Sequence, residues 1–216
     1  HAVKAKVDVY EDILQYKYTV AIADPALYAQ FHHLDDVNLV LAALMQIGFD
    51  EVAELYREHR IITALTEQAI EEGTLPKPII SSKCPAVTRL IRVRFADLCD
   101  HVMPVMTPGE LAAHNMREKI CEKTGLGPED VGIFYISPCA AKATILKMPL
   151  GIENSNIDKV HSVSDIYTRL LSPMKRIQDP PRIAEFNCAK YASTGTESKA
   201  LHGRRAIYAD GMENII

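Results

Sequence analysis

The 216-residue chain is 48% hydrophobic, enough for one large domain or two small lobes around a real core, which excludes disorder over most of its length. With 24 Lys plus Arg against 28 Asp plus Glu, its net charge of -4 gives no electrostatic reason to expect nucleic acid or an anionic membrane as partner. No apolar run approaches the roughly 18 residues of a spanning helix, and the opening HAVKAKVDVYED lacks the apolar region of a signal peptide.

Residues 17–23 (KYTVAIA) read as a short buried strand, ended at Asp24-Pro25 because proline cannot donate to a ladder. Residues 35–47 read as a helix, with Val37, Val40, Leu41, Leu44 and Met45 on one face and Gly48 as its stop. A second helical pattern covers 51–72, where Val52, Leu55, Tyr56, His59, Ile62, Thr66 and Ala69 recur at helical spacing, and Gly73 closes it. Residues 78–82 (PIISS) form a short β-type run leading into Lys83-Cys84-Pro85 and the helical segment 86–98. Proline at a first helical turn loses no needed donor, and the loop before it lies at the positive helix end, a sound place for an anionic cluster or substrate. Thr107-Pro108-Gly109-Glu110 is a helix start in which Thr107 caps and Glu110 completes a capping box; the helix runs from Leu111 to Lys123 and stops at Gly125. VGIFYIS (131–137) is the clearest strand, interrupted by Pro138-Cys139. Residues 159–163 read as another strand before a helix around 164–171, and 179–181 as a connection. Residues 187–203 are too polar for a core element and read as a long loop that could line a site. AIYAD and GMENII after it read as a strand entering a helix. Strands separated by helices predict an α/β fold with mostly parallel sheets flanked by helices.

Five cysteines, Cys84, Cys99, Cys121, Cys139 and Cys188, make an odd number without a CxxC pair. That argues against a disulfide framework and for reduced thiols in a cytoplasmic chain. Cys84 and Cys139 each follow a predicted strand end beside a proline, outside any apolar periodicity. Their thiolates would suit an iron–sulfur cluster or zinc if the two strand ends face one another; two ordinary buried cysteines are the simpler alternative. Lys142, three residues after Cys139, either contacts an anionic ligand or is a solvated surface lysine; Lys83, directly before Cys84, is equally open. Cys99 and Cys121 lie in helical runs and read as small core residues, while Cys188 sits in the polar loop with its role open. No HExxH pair, GxSxG elbow or phosphate-binding GxxxxGK[ST] loop occurs, so zincin, serine-hydrolase and nucleoside-triphosphatase chemistry find no support.

SSKCPAV (81–87) and SPCAAK (137–142) give the chain a resemblance to the cluster-binding domain of the iron-only (di-iron) hydrogenases. VAIADPALYAQF (20–31), PVMTPGELAAH (104–114), GPEDVGIFYISPCAAKA (127–143) and DKVHSVSDIYTRL (158–170) resemble that family in the same order. The resemblance implies two α/β lobes, 18–126 and 127–216, with a cluster cavity between them. It also implies that 1–17 is a linker from ferredoxin-type electron-transfer modules and that the second lobe is cut short. By the same resemblance a 4Fe-4S cubane held by four cysteines is bridged to a di-iron subsite carrying carbon monoxide and cyanide. Cys84 and Cys139 fall on two cubane ligands, Lys142 on the lysine that contacts a cyanide ligand, and Ala23, Asp24 and Pro25 on the loop beside the subsite. Ser82, Ser137 and Pro138 flank the two cysteines in the matching motifs.

The chain departs from the family at the place of its proton-relay cysteine, which is Lys83, and the methionine before the second motif's proline is Ser137. A lysine holds its proton near neutral pH, whereas a thiol releases and regains one. The last family motif, with the other two cubane cysteines, has no counterpart through Ile216. These departures lead to the expectation of a hydrogen- or redox-sensing domain with a downstream signalling domain and no complete cluster in this segment. A catalytic ferredoxin-dependent hydrogenase is the alternative, and a cluster-assembly or structural relative lacking the di-iron site is a third reading.

Overall fold

The computed structural model describes residues 8–144, 146, 149, 152–185, 188–193, 195–201 and 205–209. Its main elements are β1 (Tyr18–Ala23), α1 (Val37–Gln46), β2 (Glu51–Ala53), α2 (Tyr56–Glu72), α3 (Pro85–Arg94), α4 (Pro108–Thr124), β3 (Val131–Ser137), β4 (Lys159–Ser162), α5 (Val163–Arg176) and α6 (Thr196–Ala200). The strands form one parallel sheet in the order β2-β1-β3-β4. Every residue of β3 is buried, because both faces of the sheet are covered. Ala21, Ala23, Phe134 and Ile136 point to a core shared with Leu41 and Leu44 of α1 and Ile166 and Leu170 of α5. Val20, Ile22, Ile133 and Tyr135 point the opposite way, onto Ala112, Ala113 and Ile120 of α4. The period-2 alternation of the two central strands therefore builds a three-layer α/β domain.

Because all four strands run in one direction, their carboxyl ends share one edge, where open α/β sheets gather ligand-binding loops. Asp24 ends β1 there and caps the following turn, its carboxylate accepting from the Ala26 N–H at 3.0 Å. Thr107 caps α4 as expected by accepting from Glu110 N, with Pro108 in the first turn.

Several local expectations are corrected. The helix expected over 51–72 begins only at Tyr56, and residues 51–53 are strand β2. Asp50 accepts from both the Thr19 N–H (2.7 Å) and hydroxyl (2.9 Å), which draws 51–53 alongside β1; Val52 is buried in the sheet. The run 78–82 is not a strand of the sheet and makes a single parallel bridge, Ile80 to Val102. Helix α3 ends at Arg94, and Cys99, expected in a core, is exposed in the turn that follows. Glu110 does not complete a capping box, because its carboxylate accepts from Ser155 Oγ and, at 2.7 Å, from Asn156 N. The loop expected over 187–203 contains helix α6, preceded by Gly195 in the left-handed region at φ 78. Residues 205–209 form no strand, and the helix expected after them lies outside the described residues. β1 and β3, from either side of residue 126, pair over six positions in this sheet.

Candidate functional site

The loops after β1 and β3 enclose a small cavity of about 20 Å³, lined among others by Asp24, His59, Lys83, Tyr135, Lys142 and Tyr191. Tyr135 belongs to β3 and turns its hydroxyl toward β1. There it donates to Asp24 Oδ2 at 2.6 Å and accepts from Lys142 Nζ at 3.0 Å. Lys142 Nζ also lies 3.6 Å from the same carboxylate oxygen. Burial alone would raise the Asp24 carboxyl, but the Lys142 charge, the Tyr135 hydroxyl and the Ala26 N–H outweigh it and hold Asp24 below the usual carboxylate range. Burial and the Asp24 charge push the Tyr135 phenol well above its ordinary value, so it stays protonated and serves as the donor. Gly109, at the start of α4, lets the helix approach closely here: a Cβ would stand 3.0 Å from the Tyr135 ring, which would have to shift by a few tenths of an ångström.

A second charged cluster closes the other side. Glu197 of α6 accepts from His59 Nδ1 at 2.9 Å and Lys83 Nζ at 3.0 Å through one oxygen. His59 is 1% exposed and stacks on Tyr191 with ring centroids 4.3 Å apart. Burial lowers the His59 imidazole against the pull of Glu197, so the neutral ring donates from Nδ1. Burial opposes ionisation of Glu197 as well, but His59 and the Lys83 ammonium overcome it and bring its carboxyl down to about 2.

The anticipated residues are placed as follows. Cys84 is the exposed residue before α3, and Cys139 is half-buried two residues after the end of β3, its N–H donating to Ser137 Oγ at 3.2 Å. Their sequence neighbours Lys83 and Lys142 line the same cavity. Pro25 lines it too, Ala23 is the buried end of β1, and Ser137 is the buried end of β3 followed by Pro138. Ser82 is buried but donates to Val105 O, facing a different pocket with Cys99. Cys188 is a core residue against Tyr28, its thiol pushed up to about 11 by burial, with the Glu54 charge adding. Cys121 packs against the core beneath α4. His59, Tyr135, Tyr191 and Glu197 were not anticipated as site residues.

A wider open groove, of about 800 Å³, lies along the free edge of β2 between α2 and α4. Burial there raises the Glu54 carboxyl to about 7, with Glu185 and Glu58 adding to the effect. An acid whose folded value exceeds its unfolded value stabilises the fold while protonated and loses that contribution as pH rises from 4.5 toward about 7. Glu54→Gln is therefore expected to gain about 1–3 kcal/mol relative to the parent between pH 4 and pH 8. Denaturant melts at both pH values test this, and equal differences at the two would contradict it.

The family model for the C-terminal domain of the iron only hydrogenase large subunit matches residues 17–194. Among solved structures, the chain is similar to apo FeFe-hydrogenase HydA1 from Chlamydomonas reinhardtii, in a cysteine-to-histidine variant. That likeness has 17% identity and a TM-score of 0.63 over 82% of this chain and 50% of that one. A glutamate-to-alanine variant of the same hydrogenase matches at 19% identity and TM-score 0.62, over 82% and 50% of the two chains. At such identities the likeness is one of fold, and the chain spans about half the length of these structures. No curated protein is significantly similar to it.

The cavity can be set against the groups that the resemblance implies. Cys84 and Cys139 offer soft sulfur suited to a cubane, but among the described residues no group of three or more His, Cys, Asp or Glu side chains could hold a metal. The described residues alone do not make a cubane's ligand set. At about 20 Å³ the cavity has room for about one water molecule, and Asp24, Tyr135 and Lys142 already satisfy each other. A di-iron group does not fit this arrangement.

Proposed function

We propose, for a chain that belongs to the family of C-terminal domains of the iron only hydrogenase large subunit, that it forms much of the catalytic domain of an oxidoreductase interconverting hydrogen with protons and electrons. Ferredoxin-type modules exchange those electrons, upstream in the chain or in trans. The observation that carries this reading is the arrangement at the carboxyl edge of β1 and β3, where Lys83 and Lys142 share one cavity with Asp24 while Cys84 and Cys139 stand beside them in sequence. In this reading Cys84 and Cys139 are cubane ligands, and the cavity between the loops is one wall of a cluster cavity completed by the rest of the domain. Ala23, Asp24 and Pro25 form the end of β1 and the turn after it, Ser137 and Pro138 the end of β3 and the residue after it, and Ser82 precedes the Lys83-Cys84 pair.

A second reading, a hydrogen- or redox-sensing domain with slow turnover, rests on Lys83. Its ammonium is committed to Glu197 where the resembling enzymes carry a thiol. Both readings are tested on the full-length protein produced with its maturation machinery under anaerobic conditions. Iron, acid-labile sulfide and hydrogen evolution from a reduced donor are measured per chain. Cys84→Ser and Cys139→Ser are each expected to remove most of the cubane iron and sulfide. Retention of the parent iron content in both would refute the ligand assignment; a loaded protein without detectable turnover would favour sensing over catalysis.

A further inference from the structure

Two ion pairs stand at and beside the cavity, Asp24 with Lys142 and Lys83 with Glu197, and burial lowers the imidazole of His59, which lines the cavity with Lys83. The site is electrically balanced without any ligand. On the Asp24 side the balance is made deep in the fold, since the Asp24 and Lys142 side chains are each 15% exposed and Tyr135 is 2% exposed. The Asp24 carboxylate has the surroundings of a bound anion: a phenol hydroxyl at 2.6 Å, an ammonium at 3.6 Å and a backbone N–H at 3.0 Å. Two hydrogen-bond donors and one ammonium converge in this way on an anion whether or not it is attached to the chain. Lys142 stands at 4.9 Å over the Tyr135 ring, which further confines the ammonium to this place.

We propose that Tyr135, Lys142 and the Ala26 N–H form a binding site for one small anion, and that the Asp24 carboxylate occupies it, so the chain carries its own anion where an external one would otherwise sit. This deepens the reading above by stating what must leave Lys142 before any anionic group can reach it. The chemical class follows from the cradle: a monovalent anion of carboxylate size or smaller, since larger groups have no room. With Asp24 in place an added anion brings a net negative charge into a poorly solvated pocket. With the carboxylate removed, the same anion neutralises Lys142.

The test uses formate, which has the size and charge of the deleted group, so a chain without hydrogenase activity still answers. In Asp24→Ala, formate at constant ionic strength is expected to raise the thermal midpoint saturably, with an apparent affinity at least about tenfold tighter than in the parent. Adding Lys142→Met to that variant is expected to abolish the effect. Equal formate stabilisation of parent and Asp24→Ala, or persistence of the effect without Lys142, would overturn the proposal. Asp24→Ser, whose hydroxyl can accept from the Ala26 N–H while the place of Oδ2 is left open, is titrated in parallel with formate and covers the case in which the alanine variant does not fold. Saturable formate stabilisation there supports the proposal, and its absence in a folded Asp24→Ser overturns it.

Discussion

Arg117→Ala is expected to destabilise the domain by about 3 kcal/mol, although Arg117 lies far from the cavity. Its guanidinium, 19% exposed, donates from Nη1 to Pro128 O (2.7 Å) and Val131 O, and from Nη2 to Asn156 O (2.9 Å) and Asp158 Oδ2 (2.8 Å). That one fork joins α4 to the entry of β3 and to the chain entering β4. Asp158 Oδ2 also accepts from the Ile133 N–H at 2.7 Å, so the carboxylate that Arg117 neutralises is part of the pairing between the two strands. Truncation leaves a half-buried carboxylate without its cation and takes a donor from three carbonyl oxygens, of which Pro128 O keeps the Val131 N–H; a buried acceptor left unpaired costs more than the bond itself is worth. Arg117→Lys is expected to recover less than half the loss, because an ammonium cannot present two parallel donor pairs. Urea denaturation of the three proteins measures it. A cost below about 1 kcal/mol for the alanine variant would mean that water satisfies these acceptors.

The contrast between Arg117 and the strands it joins shows what the sequence could reveal. β1 and β3 were legible because a strand buried on both faces needs an apolar run, and because Asp24-Pro25 and Pro138 end those runs for local steric reasons. Thr107-Pro108 was legible for the same reason: a cap is made within four residues. β2 was not, because three residues carry too little pattern and Val52 happened to fit the helical spacing that follows; its place is fixed by Asp50 bonding to Thr19, far away in sequence. Glu110 carried the local signature of a capping box but found better donors in Ser155 and Asn156. The same limit applies at the site. Lys83 and Lys142 stand beside cysteines in recognisable motifs. Glu197, by contrast, reads as a solvated charge in a polar loop, and only the fold brings it to Lys83, 114 positions away. His59 was read as one more member of a helical face, and nothing local marked its stacking partner Tyr191. Tyr135 lay within an apolar run that marked it as buried, while its hydroxyl's partners came from residues 24 and 142.

Lys83→Cys, in the full-length and fully matured protein, is expected to raise hydrogen evolution from a reduced donor by about 100-fold at matched cluster content, the low end of what a positioned proton-transfer group contributes. Lys83 directly precedes Cys84 and lines the cavity with Asp24 and Lys142. Its ammonium donates to Glu197 at 3.0 Å, and that carboxylate is held in its charged form by the same contact and by His59. The Lys83 Nζ is thus engaged in an ion pair with Glu197 at 3.0 Å instead of being free to face the cavity. A thiol at the same backbone position titrates much closer to neutrality and has no such partner to hold it. Lys83→Ser is the control that separates chemistry from space, since it removes the ammonium equally but supplies no group able to exchange a proton near neutral pH. Turnover is expected to rise in the cysteine variant and stay near the parent's in the serine variant. A rise in both would assign the effect to release of Glu197 and His59, and no rise in either would mean that proton delivery at Lys83 does not limit the reaction. High turnover in the parent itself would remove the sensing reading altogether, together with the premise that proton delivery at Lys83 limits the reaction.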